Sequence, residues 1–66
     1  MDYGEKMFNW ISEKINAGMT VYASTCLRKI KLTKKYADAI RYRGGHCEIR
    51  MGKRWDSING CKVEAI

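Results

Sequence analysis

The sequence predicts a single α+β domain over residues 1–66, on three observations. A capped apolar stripe with helical spacing opens the chain, and runs that alternate polar with apolar residues close it. With 66 residues there is room for only one small core. The expected order is α-β-α-β-β-β: an N-terminal helix, a strand, a short helix, then a three-stranded antiparallel meander.

The first helix is expected over about residues 3–17. Asp2-Tyr3-Gly4-Glu5 has the spacing of a capping box, with the Asp2 carboxylate accepting from the Glu5 backbone and Glu5 reaching back. Met7, Phe8, Ile11 and Ile15 follow down one face, while Trp10, Lys6, Glu13 and Lys14 lie on the flanks and outside. Asn16-Ala17-Gly18 supplies the stop, Gly18 taking the left-handed position just past the end. The apolar face reads as a packing face; an exposed Trp10 would make it a partner-binding helix.

Met19 to Leu27 is rich in β-branched and aromatic residues and predicts a strand over about 19–26. Arg28-Lys29-Ile30-Lys31-Leu32 alternates, so the strand is expected to continue past a bulge. Ile30 and Leu32 would then face the core, with Lys29 and Lys31 outward. Thr33 is the expected N-cap of a second helix, Lys34 to about Arg41, with a Leu32–Ala37 staple and Tyr36, Ala37 and Ile40 as its apolar face. Two lysines in its first turn oppose the macrodipole at a cost of ~0.3–1 kcal/mol each, which suggests that they have a use. Gly44-Gly45 ends this segment. The meander is expected from His46–Met51, Arg54–Ile58 and Cys61–Ile66, turning at Gly52-Lys53 and, through a type I′ hairpin, at Asn59-Gly60.

Charge is segregated along the chain. Between Leu27 and Arg54 ten basic residues meet only Asp38 and Glu48, a net of +8; elsewhere three basic residues meet five acidic ones, a net of −2. A sequence pI of about 9.5 with this distribution favours polyanions through steering and counterion release. No run approaches the length of a membrane span and no signal-peptide pattern is present, so a soluble cytoplasmic protein is expected. Cys26, Cys47 and Cys61 are odd in number and widely spaced, which fits a reducing compartment and core thiols better than a disulfide framework or a zinc site. A cavity able to hold a cofactor would consume most of so small a core, so no cofactor and no metal are expected.

Catalytic candidates are few. His46 is the only histidine, and a nucleophile–base pair would require Ser24, Ser57 or a cysteine to meet it in space. Binding chemistry is better supplied: Tyr36, Tyr42 and Trp55 are interleaved with Lys34, Lys35, Arg41, Arg43, Lys53 and Arg54, rings that stack bases beside groups that neutralise phosphates. No helix pair forms a helix-turn-helix, so backbone- or shape-directed binding is expected rather than base readout.

The stretch Arg41-Tyr42-Arg43-Gly44-Gly45-His46-Cys47-Glu48-Ile49-Arg50 is similar to the Arg-x-x-Gly-Ser-His segment of HicA-type toxins, small ribonucleases with a double-stranded-RNA-binding-like fold. That resemblance implies His46 as general acid or base and Arg43, Arg50 and Lys53 as phosphate clamps, with Gly45 standing where the family has Ser. The run Gly52 to Val63, together with Lys31-Leu32-Thr33-Lys34-Lys35, resembles the ends of short reading frames of temperate phages and prophages. This implies a small accessory protein, acting in a bacterial host cell, that binds nucleic acid or obstructs a host protein.

The leading expectation is therefore a non-enzymatic phage-type accessory protein that binds nucleic acid, or an acidic protein or ribonucleoprotein surface. The residues making those contacts would be Arg28, Lys29, Lys31, Lys34, Lys35, Arg41, Arg43, Arg50, Lys53 and Arg54, with Tyr42 and Trp55 as stackers. The alternatives are an inhibitor of a host or defence complex, such as an anti-CRISPR-like blocker, and a HicA-like ribonuclease using His46. A domain of this size also gains by covering its apolar remainder in a homodimer.

Overall fold

The computed structural model describes residues 2–25 and 27–66. Helix α1 (Tyr3–Asn16) starts where its cap predicts: Asp2 is the N-cap and its Oδ1 accepts from the Glu5 N–H at 2.8 Å. It ends in a Schellman motif, with Gly18 at φ +88°, its N–H on the Ile15 carbonyl, and the Met19 N–H on Lys14. Met7, Ile11 and Ile15 are buried, with Phe8 and Trp10 partly buried against the same core. Gly4 extends the buried face toward the N-terminus.

Strand β1 (Val21–Ser24) does not continue past a bulge. The chain reverses at Thr25–Arg28 and returns as β2 (Lys29–Leu32), pairing Val21 with Leu32 and Ala23 with Ile30. Thr25 makes this turn without Gly, Pro, Asn or Asp. Its Oγ1 donates to the Arg28 carbonyl at 2.8 Å and accepts from the Arg28 N–H at 3.0 Å, while its own N–H reaches the same carbonyl. Leu32 is buried and Ile30 partly so, with Lys29 and Lys31 outward, as the alternation predicts. Cys26, the expected end of the first strand, lies outside the described residues.

The expected second α-helix is instead a 3₁₀ segment, Lys34–Ala39, broken at Tyr36 (φ −109°, ψ 28°) and without a side-chain bond from Thr33. Tyr36 is 52% exposed, not buried. Six residues with lysines against the dipole make a poor α-helix, and Ile40 is taken by a strand instead. That strand, β3 (Ile40–Arg43), begins the meander, followed by β4 (His46–Met51) and β5 (Arg54–Ser57). Gly44 and Gly45, at φ +58° and +84°, form the two-residue type I′ turn between β3 and β4.

Asn59-Gly60 is not a hairpin. Asn59 keeps a negative φ, Gly60 has φ +84°, and the Cys61 N–H bonds the Ile58 carbonyl at 3.0 Å. The chain thereby leaves the meander, and β6 (Lys62–Ala65) pairs with β1. The result is two three-stranded antiparallel sheets, β2-β1-β6 and β3-β4-β5, behind one helix, an α+β architecture in which the meander sits one strand earlier than expected. Met7, Ile11 and Ile15 meet Val21, Ala23 and Leu32 from one sheet and Ile40, Cys47 and Ile49 from the other, with Ile58 beside them. Among the described residues no helix is long and apolar enough to cross a membrane.

Candidate nucleic-acid interface

Strand alternation and the β3–β4–β5 register decide which side chains share a surface. Inward lie Ile40, Cys47 and Ile49, packed under α1. Outward the register sets Arg43 opposite His46, Arg41 opposite Glu48 and then Ser57, and Arg50 opposite Trp55. Three arginines, one histidine, one tryptophan and one serine thus surround a single glutamate on a face turned from the core.

Its centre is a fixed cluster. Arg41 Nε donates to Glu48 Oε1 at 2.8 Å, with the two side chains 34% and 18% exposed. The same guanidinium lies 4.1 Å from the Trp55 ring centroid, and that of Arg50 lies 6.0 Å from it. Charge, hydrogen bond and ring stacking together hold the Arg41 plane in one orientation.

At one end, His46 Nδ1 is 3.0 Å from Ser57 Oγ and 3.4 Å from Asn59 Nδ2. Asn59 is oriented unambiguously, since its Oδ1 accepts from the Cys47 N–H and its Nδ2 donates to the Gly45 carbonyl, each at 2.9 Å. An amide nitrogen only donates, and the Ser57 oxygen already accepts from the Asn59 N–H at 3.3 Å. With Nδ1 facing these two groups, Nε2 is the ring nitrogen that makes no bond among the described residues. Sequence reasoning finds no local sign of this Ser57–His46 meeting. What the sequence does signal is the Arg43–His46 pair, through Gly44-Gly45 as a type I′ turn.

The other expected contacts are dispersed. Lys29 and Lys31 stand on the outer face of β2, where Lys29 lies 5.3 Å from the Tyr22 ring and 3.7 Å from Glu64. Lys34 and Lys35 are on the 3₁₀ segment and Lys53 is in the β4–β5 turn. Arg54 pairs with Asp56 at 3.6 Å, and Arg28 places a guanidinium nitrogen 3.3 Å from Met51 Sδ. These last residues, with Leu27, Ile30 and Met51, line a groove of about 390 Å³. Tyr42 is not on the outward face. It projects from β3 on the opposite side, and its hydroxyl donates to Asp2 Oδ2. That bond and the Glu5 N–H hold the Asp2 carboxyl below its usual range, while the same carboxylate raises Tyr42. Burial, with Glu48 nearby, pushes the Cys47 thiol up to about 11, so it is an inert core group.

Compared with family models, curated proteins and solved structures, the chain matches none.

Proposed function

We propose that this protein binds nucleic acid through the outward face of the β3–β4–β5 sheet, as a small accessory protein that does no chemistry on its ligand. The reading rests above all on Arg41, Arg43, Arg50, His46 and Trp55 sharing one surface turned from the core. Guanidinium groups, with the His46 ring beside them, are suited to phosphate oxygens, and the Trp55–Arg41 stack is a flat surface suited to a base.

The test is a salt titration with wild type and an Arg43→Ala/Arg50→Ala variant. Affinity is expected to fall as salt rises, and the double variant to bind more weakly. Its slope should flatten by about 0.7 for each phosphate no longer neutralised on a single strand, or by about 0.9 on a duplex. Binding indifferent to both salt and the substitutions would refute the reading. One observation favours a second reading: the His46–Ser57 contact fixes a histidine beside Arg43, the pairing of a proton-transfer group with a phosphate-binding group that phosphodiester cleavage uses. Incubation with single-stranded RNA separates the two. Cleavage abolished by His46→Ala would make the protein a ribonuclease, and intact RNA leaves it a binder.

A further inference from the structure

Taking the nucleic-acid reading as its premise, the geometry points to a single strand as the ligand, lying along β4 with one base stacked on the Trp55–Arg41 pair. Three observations carry this. First, the donors are set along one strand of the sheet rather than around a protruding element. His46 with Arg43 stands at one end of β4 and Arg50 at the other, four residues or about 13 Å apart, the reach of a few nucleotides of extended chain.

Second, the middle of the face is π surface beside a carboxylate that Arg41 neutralises. Glu48 is bound by Arg41, and the same guanidinium lies over the Trp55 ring. Phosphates across this centre would face Glu48, whereas an unpaired base laid on the stack gains contact with it. Base stacking of this kind is worth ~1–3 kcal/mol, about 5- to 150-fold in affinity.

Third, among the described residues no helix stands beside this face to enter a groove. Helix α1 packs under the sheet and carries Asp2 at its N-cap and Glu5 in its first turn, and the 3₁₀ segment is only six residues long. A duplex groove admits a helix or a two-stranded ribbon, and here the β3–β4 ribbon lies within a three-stranded sheet rather than standing alone. A single strand needs only a basic track with an aromatic platform.

The experiment measures anisotropy of labelled ten-nucleotide oligo-dT, oligo-U and a ten-base-pair duplex at low salt, with wild type, Trp55→Leu and Trp55→Phe. The single strands are expected to bind at least tenfold tighter than the duplex, with a log–log salt slope near −2 for about three neutralised phosphates. Trp55→Leu is expected to weaken binding 5- to 150-fold, with Trp55→Phe intermediate. The two single strands differ only at the 2′-OH and the thymine methyl, and a preference between them identifies RNA or DNA as the natural ligand. Equal or tighter duplex binding, or a folded Trp55→Leu that binds like wild type, overturns the single-strand assignment while leaving nucleic-acid binding intact. If Trp55→Leu does not fold, the wild-type comparison of single strand with duplex still decides. No binding by any of the three probes overturns both readings.

Discussion

Arg41 and Tyr42 are adjacent and serve opposite sides of the same sheet, because a strand sends successive side chains to opposite faces. Arg41 points outward to Glu48 and Trp55. Tyr42 turns toward α1 and donates to the carboxylate that caps it. One polar contact thus joins the start of the helix to the meander, and its pH dependence follows from the two shifts. The lowered Asp2 contributes stability above about pH 4, its ordinary range, which is lost as pH falls through its folded value. The raised Tyr42 contributes below about pH 10, and that is lost as pH rises through its folded value. Tyr42→Phe is expected to be less stable than wild type from about pH 5 to 9, with the gap in urea midpoint closing toward pH 2 and above pH 11. A gap independent of pH would remove Asp2 as the partner.

Between elements, α1 seats against the β3–β4 turn at Gly4. A Cβ on Gly4 would stand 2.2 Å from the Gly45 carbonyl oxygen and 2.8 Å from its carbon, both backbone atoms with no rotamer to yield. Gly4→Ala is expected to cost about 1–3 kcal/mol by forcing helix and hairpin apart. The measurement is the urea midpoint, and an unchanged midpoint would mean that the helix does not seat on the turn. Gly4 has no visible role in the sequence, since its neighbour lies more than forty positions away. Elements with local causes are legible. The caps and stripe of α1, the strand from His46 to Met51, and the inward Ile30 and Leu32 follow from spacing alone. The Thr25 turn escapes sequence reading because a threonine hydroxyl replaces the usual turn residues. A second α-helix is expected wrongly because Thr33 and Ile40 fit a helical pattern that the meander outcompetes.

For the molecule as a whole, β6 is what joins the two sheets. Asn59 ties its side chain to Gly45 and Cys47, Ile58 enters the core, and the chain then crosses to β1, where Thr20 and Ile66 exchange both backbone hydrogen bonds. Cys47 lies inside this arrangement, fully buried in the core that helix and sheets share. In a variant with serine at the other two cysteines, its thiol is expected to react with a disulfide reagent only when the whole fold opens. Its rate would rise in step with the fraction unfolded in urea. Fast reaction under native conditions would show that the shared core opens locally.

The α+β class, the capped helix, the basic balance and the parity of β2, β4 and β6 are written in the sequence, because each depends on neighbours within a few residues. Parity is enough to place Arg41, Arg43, His46, Arg50 and Trp55 on one face once their strands are aligned. That alignment belongs to the tertiary structure. Which strand lies beside β1, where the meander begins and that Ser57 reaches His46 are choices among pairings with similar local propensity. They are settled by which arrangement buries Ile40, Cys47, Ile49 and Ile58 together and leaves their backbone groups bonded.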